Sequence, residues 1–163
     1  MVSKRLSREA GHKRKFLAIV DDTPECERSV AYAARRAHTT NGSVVLLYVV
    51  EPADFQHWLG VEQIMREEAI SAANGALDTY ATKIREDIGI EPELVVREGK
   101  TDEEIHKLIE EDQDIAILVL GASNAKEGPG PLVSSIAGKG AAFPIPVTVI
   151  PHSLTDEEIE SLA

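Results

Sequence analysis

The chain has 163 residues, 43% of them hydrophobic, and a formal net charge of −11. This length fits one domain with short tails, and such a domain buries a core without disulfides or metal. No run approaches the roughly 18 apolar residues of a membrane-spanning helix, and no apolar stretch of signal-peptide type follows the basic start, so we expect a cytoplasmic protein without membrane contact.

The charge is unevenly distributed along the chain. Residues 1–15 carry six Lys or Arg and one Glu, whereas the remainder carries 11 basic and 27 acidic residues. We expect residues 1–14 to form a basic flexible arm, residues 15–151 a domain, and residues 152–163 an acidic tail or short helix. The acidic body argues against nucleic-acid binding by the folded domain.

Two predicted strands flank the first predicted helix. Phe16–Asp21 and Ser43–Val50 are apolar runs of the kind that parallel sheets cover on both faces. Thr23 and Pro24 predict the start of the helix, with a hydroxyl N-cap followed by proline at the first helical position. The helix is expected to end near Gly42.

Cys26 is the single cysteine, so no internal disulfide is possible. It falls in the first turn of the predicted helix, where a thiol can be reactive. No constellation of His, Cys or Asp supports catalysis, and we therefore expect a small semi-buried side chain.

A loop and a long helix follow the second strand. Residues 51–60 interrupt the apolar pattern, and their Asp54–Trp58 segment predicts a lid over a pocket, a partner surface or, through its tryptophan, core packing. Residues 61–88 predict a helix, because apolar residues that include Ala72 recur every three or four positions.

The remaining elements continue the alternation of strands and helices. Two Thr-Asp-Glu-Glu sequences, starting at Thr101 and Thr155, predict capping boxes at helix starts. Three further strands are predicted at Glu91–Arg97, Ile115–Leu120 and Val147–Ile150, and Ile115–Leu120 is expected to be central. A further helix is predicted over Leu132–Ala142.

This alternation predicts an α/β fold, a five-stranded open parallel sheet with helices on both faces. In such sheets ligands bind at the carboxyl ends of the strands, where the strand order reverses. That rule points to Asp21, the Val49–Glu51 stretch and Gly121.

Three stretches resemble the universal stress protein family. They are FLAIVDDTPECERSVAYAARRA (residues 16–37), REGKTDEEIHKLIEEDQDIAILVLGAS (97–123) and PIPVTVIP (144–151). The resemblance extends over residues 15–151 and rests on the order and spacing of the three stretches. The resemblance implies a Rossmann-like sheet of the adenine nucleotide α-hydrolase type and a regulatory or stress-response role.

Nucleotide-binding members of this family carry Gly, two residues, Gly, nine residues, then Gly with Ser or Thr. The first glycines let the backbone approach the phosphates, and the last pair opens a helix whose amides hold phosphate. Here Gly121 and Ser135 match, whereas Asn124 and Ser134 replace the other glycines. Asparagine tolerates a left-handed backbone, so Asn124 is expected to keep the turn.

The resemblance implies nucleotide contacts from nine residues: Val20, Asp21, Val49, Leu120, Gly121, Asn124, Ser134, Ser135 and Ile136. Asp21 would take the ribose or adenine, and Ser135 would offer its amide and hydroxyl to phosphate. The ligand would be ATP or AMP, with Mg²⁺ in the case of ATP. No catalytic residue and no protein-bound metal are expected, because no histidine pair and no obvious base occur, so activity would be at most weak ATP hydrolysis.

Two other interpretations compete with nucleotide binding. A receiver domain also places acidic residues after its first strand, as Asp21 and Asp22 do, but no lysine follows Ile150. The open alternative is a nucleotide-free, dimeric protein-interaction module of the same fold. An apolar last strand at the sheet edge pairs with its copy, so we expect a homodimer through four residues: Val147, Thr148, Val149 and Ile150.

Overall fold

The computed structural model describes residues 3–52, 61–124, 126, 128–138 and 143–163. Within these residues ten elements alternate: β1 Lys15–Ile19, α1 Cys26–Thr39, β2 Ser43–Val50, α2 Val61–Asp87, β3 Glu93–Glu98, α3 Thr101–Glu111, β4 Ile115–Gly121, α4 Pro131–Gly138, β5 Val147–Ile150 and α5 Asp156–Leu162. The predicted Asp54–Trp58 loop and the last residues of the helix predicted over Leu132–Ala142 lie outside the described residues.

The strands form one parallel sheet in the order β3-β2-β1-β4-β5. β1 lies between β2 and β4, with Phe16 opposite Val44 on one side and Ile117 on the other. The strand order reverses between β1 and β4, which opens a crevice at their carboxyl ends. β4, predicted to be central, is an inner strand beside the central β1, and the predicted edge position of β5 is confirmed.

Alternate side chains of β1 enter two separate cores. Phe16 and Ala18 pack against α1 and α2, whereas Leu17 and Ile19 pack against α3 and α4. All four are at most 4% exposed, which explains why β1 is apolar from Phe16 to its end. Helices therefore cover both faces of the sheet, as the sequence predicts. No described helix is long and apolar enough to cross a membrane.

The start of α1 differs from the prediction. Thr23 and Pro24 lie before the helix, which begins at Cys26 after Glu25 and has no side-chain cap. Thr23 instead donates both its amide and its hydroxyl to Asp21 Oδ1, with an amide distance of 2.9 Å. The hydroxyl expected to cap the helix is therefore already engaged by Asp21, the aspartate two residues after β1.

The two Thr-Asp-Glu-Glu sequences fold differently. At Thr155 the predicted capping box is confirmed, because Glu158 N donates to Thr155 Oγ1 at 3.1 Å and Thr155 N donates to Glu158 Oε1 at 3.2 Å. At Thr101 the prediction is wrong. The Thr101 amide and hydroxyl donate to Glu51 Oε1 at 3.1 and 2.8 Å, so a carboxylate after β2 replaces the local cap.

The sequence predicts the extent of α2 and most of its inward face. Ala72 was expected in the apolar stripe and is exposed, while Ala73, Leu77 and Ala81 are buried. The other residues of the predicted stripe are half-buried or buried, and Ile84 belongs to the core. After α2, Gly89 adopts φ +85°, a left-handed conformation that lets the chain leave the helix.

The basic arm contacts the end of α3. Arg5 Nη1 donates to the main-chain oxygens of Ile109 at 2.6 Å, Asp112 at 3.2 Å and Ile115 at 3.3 Å. A cation is favoured there because the last carbonyls of a helix lack intrahelical partners and carry partial negative charge. The flexibility expected for residues 1–14 stays a prediction.

Gly121 allows the end of β4 to lie directly against the start of α1. A Cβ atom at Gly121 would be 2.1 Å from the carbonyl oxygen and 2.8 Å from the carbonyl carbon of Glu25. Both are backbone atoms, so no rotamer change relieves the overlap. The fold itself therefore requires glycine at this position, independently of any ligand.

We expect Gly121→Ala to lower the free energy of unfolding by about 1–3 kcal/mol, because the added methyl group must displace backbone. Urea denaturation measures this change. Gly75→Ala is the matched control: an added Cβ at Gly75 in α2 has nothing within 4 Å, so we expect stabilisation by about 0.5–1 kcal/mol. Similar effects of the two substitutions would contradict the packing described for Gly121.

Candidate functional site

The carboxyl ends of β1 and β4 enclose a small cleft where the strand order reverses. Its walls are the loop after β1, the end of β4 and the start of α4, including Asp21, Thr23, Glu25, Gly121 and Gly130. The cavity measures about 40 Å³. A water molecule needs about 10–15 Å³ on this scale, so the cleft has room for about three waters.

Asp21 supplies a carboxylate at the end of β1. Its Oδ1 atom accepts hydrogen bonds from the amide and the hydroxyl of Thr23. Both bonds use the same oxygen, and Oδ2 accepts none from the described residues. The side chain is thus oriented by its own loop and keeps one oxygen as an acceptor for a hydroxyl or amino group.

Glu25 places a second carboxylate at the cleft. A Cβ atom at Gly130 would lie 3.5 Å from Glu25 Oε1, which puts this carboxylate beside the residue that precedes α4. Among its described lining residues, the cleft holds two acids, Asp21 and Glu25, and neither lysine nor arginine. Such a lining favours groups that donate hydrogen bonds and opposes anions.

Chelation of a metal has no support in the described part of the chain. No group of three or more His, Cys, Asp or Glu there has a geometry that would hold a metal ion. Asp22, the acid next to Asp21, is exposed and accepts a hydrogen bond from the Tyr48 hydroxyl at 3.3 Å. Burial of the hydroxyl and the Asp22 charge raise the pKa of Tyr48, so this phenol stays a donor at neutral pH.

The loop before α4 takes its left-handed turns at glycine. Gly128 and Gly130 have φ angles of +117° and +105°. The expectation that Asn124 would supply a left-handed residue is wrong, because its φ is not positive. Glycine adopts these conformations without steric cost, so the turn moves to the glycines within the loop. The Ser123 amide donates to the carbonyl oxygen of Pro129 at 2.8 Å and closes the loop.

Three of the nine residues predicted to contact nucleotide line the cleft: Asp21, Leu120 and Gly121. The other six lie outside its lining, with Val20 and Ile136 buried, Val49 and Ser135 half-buried, and Asn124 and Ser134 exposed. The role of all nine in nucleotide binding stays a prediction.

The start of α4 shows why the motif spacing misses part of the cleft. The Ser134 amide donates to the carbonyl oxygen of Gly130 at 3.0 Å, which is the first hydrogen bond of the helix. The amides of the first turn that precede this bond belong to Leu132 and Val133, and both residues line the cleft. Sequence reasoning missed these two and Glu25, although all three lie at the start of a helix at the switch point.

Cys26 lines the cleft with a buried thiol. Its Sγ lies 3.2 Å from the Tyr80 hydroxyl and 3.5 Å from the main-chain oxygen of Asp21. Burial raises the pKa of the Cys26 thiol, although the hydrogen bond with Tyr80 opposes part of that rise. The thiol is therefore protonated at neutral pH. The sequence predicted an unreactive, semi-buried side chain, and the structure buries it more fully.

We expect the rate at which Cys26 reacts with iodoacetamide to reach half its maximum above the ordinary thiol pKa of about 8.5. Tyr80→Phe should move this midpoint to still higher pH, because it removes the hydrogen bond that favours the thiolate. Tyr32→Phe is the control and should leave the midpoint unchanged. A wild-type midpoint on the acidic side of the ordinary value would contradict the burial described for this thiol.

Comparisons with known proteins agree with this architecture. Residues 13–151 match the sequence profile of the universal stress protein family. A comparison with curated protein sequences gave no match. Among solved structures, universal stress protein UspA from Lactobacillus plantarum is similar, at 18% identity and a TM-score of 0.70, over 84% of this chain and 97% of that one.

Two further similar structures contain a nucleotide. The universal stress protein from Archaeoglobus fulgidus in complex with dAMP is 21% identical, with a TM-score of 0.57, over 84% of this chain and 97% of that one. A universal stress protein family protein from Arabidopsis thaliana with AMP bound is 18% identical, with a TM-score of 0.60, over 88% and 94%. These similarities show the fold, and the profile match spans most of the sequence. The chain therefore belongs to the universal stress protein family.

Proposed function

We propose that the protein binds an adenine nucleotide, AMP or ATP with Mg²⁺, at the cleft between β1 and β4, and acts as a regulatory or stress-response protein. The observation that carries the proposal is the convergence of Asp21, Gly121 and the first turn of α4 on one cleft at the switch point. Two structurally similar proteins hold AMP and dAMP, which supports the same ligand class here.

Each part of the cleft has a role in this proposal. Asp21 would accept a hydrogen bond from a ribose hydroxyl or the adenine amino group. The amides of Leu132 and Val133 would donate to phosphate, as helix N-termini do. Sites for small molecules measure about 300–1,000 Å³, so the loop after β1 or the loop before α4 must move outward to admit the ligand.

Calorimetric titration of ATP, AMP and cyclic AMP in the presence of Mg²⁺ tests the proposal. Asp21→Ala should raise the dissociation constant by about tenfold or more, because a charge-assisted hydrogen bond contributes about 1.5–3 kcal/mol. Asp22→Ala is the control: it removes the same charge one residue away, where the side chain contacts Tyr48 instead. No heat with millimolar nucleotide would overturn nucleotide binding.

A second candidate function is a nucleotide-free dimeric interaction module. The small acidic cleft favours it, and so does β5, an edge strand whose Val149 is 43% exposed. A groove of about 340 Å³ runs beside this strand and has apolar walls that include Phe143, Ile145 and Val147.

Both candidate functions include a homodimer through Val147–Ile150, since an apolar edge with unpaired main-chain groups recruits a second copy. The cytoplasmic location stays a prediction from the sequence.

We expect the wild-type protein to sediment as a dimer and Val149→Lys to weaken that dimer by at least about tenfold, because a buried lysine at the edge is left without a partner. Analytical ultracentrifugation over a concentration series measures this. Ile64→Lys is the control, since Ile64 is 59% exposed on α2, away from β5. A dimer that Val149→Lys leaves intact would show that another surface forms the interface.

A further inference from the structure

We propose that Glu25 determines the charge of the ligand that the cleft accepts, and that its carboxylate makes the site prefer an uncharged adenine nucleoside to the phosphorylated forms. The inference rests on the proposed adenine-ligand function and adds to it the selectivity of the same site. It follows from the position of Glu25, its charge and the chemistry of the groups around it.

The backbone of Glu25 is held in place on both sides. Its carbonyl group lies where a side chain at Gly121 would be, so β4 fixes it from one side. Glu25 also occupies the N-cap position of α1 with φ −67° and ψ −20°, and Cys26, the first helical residue, is buried. The side chain therefore projects from a backbone that packs against two elements, and only its own rotation moves the carboxylate.

The carboxylate lies beside the start of α4. Glu25 Oε1 would be 3.5 Å from a Cβ atom at Gly130, and Gly130 directly precedes the first turn of the helix. A phosphate that accepts hydrogen bonds from the amides of Leu132 and Val133 would share this space with the carboxylate. Two anions in the same corner repel, and the repulsion is larger at a protein surface than in bulk water.

No lysine or arginine in the described lining of the cleft compensates the charge of Glu25. Its carboxylate forms no hydrogen bond or ion pair with a described residue, and the other charge in the described lining is a second acid, Asp21. The loop also offers few donors to an anion, because Pro129 and Pro131 have no amide hydrogen. An uncharged nucleoside, by contrast, brings hydroxyl and amino groups that donate to both carboxylates.

The test compares the wild-type protein with Glu25→Gln, which keeps the shape and removes the charge. Adenosine and AMP are titrated by calorimetry without divalent cations. We expect wild type to bind adenosine at least about tenfold more tightly than AMP, and Glu25→Gln to strengthen AMP binding by about tenfold with little change for adenosine. Glu27→Gln is the matched control, because Glu27 pairs with Arg28 and Lys83 away from the cleft.

A second measurement separates this inference from the proposed function. Inorganic phosphate is titrated into each variant while the amide resonances of Leu132 and Val133 are followed by NMR. Phosphate that shifts these resonances at a lower concentration in Glu25→Gln than in wild type supports the role of Glu25, even where AMP and ATP fail to bind and the proposed function falls.

Equal phosphate and AMP affinities in wild type and Glu25→Gln would overturn the role of Glu25. If wild type and Glu25→Gln bind AMP with the same measurable affinity, the role of Glu25 is overturned but the proposed nucleotide binding is not. The thermal unfolding midpoint of each variant confirms that it is folded. If Glu25→Gln does not fold, Glu25→Ala replaces it and must show the same gain in phosphate binding.

Discussion

The cleft depends on the close approach of two backbone segments, at Glu25 and at Gly121. The backbone of Glu25 occupies the space that a side chain at Gly121 would need. The sheet order places β1 beside β4, and the chain that leaves β1 must cross the end of β4 before it enters α1. It crosses at a distance that any Cβ atom would block. The position of α1, the width of the crevice and the acidic groups at its mouth all depend on this close approach.

This constraint links packing to chemistry. In parallel sheets the crevice at the switch point is the usual ligand site, and here the residues after β1 form one of its walls. The cleft has room for about three waters, and two carboxylates lie in its wall. The site is therefore smaller and more acidic than a site built only to bind phosphate. Glu25 contributes to both differences, through its backbone and through its carboxylate.

Much of the fold could be predicted from local patterns. After Lys15, β1 is apolar at every position because both of its faces are buried, and the same pattern identifies the inner strand β4. The candidate site was predictable only in part. Asp21 and Gly121 follow from the strand-end rule, whereas Glu25 belongs to a segment whose Thr23 and Pro24 predicted a helix start that the structure places later.

The sequence by itself determined the order of the elements, the apolar strands and the glycine that ends α2, because these depend on hydrophobic period and on backbone freedom within a few residues. Only the tertiary structure decided where polar side chains find their partners. The identical Thr-Asp-Glu-Glu sequences show this most directly: Thr155 caps its own helix, while Thr101 bonds to Glu51 from another element. A hydroxyl bonds to whichever acceptor the fold brings within reach, and residues distant in the chain are placed there by packing.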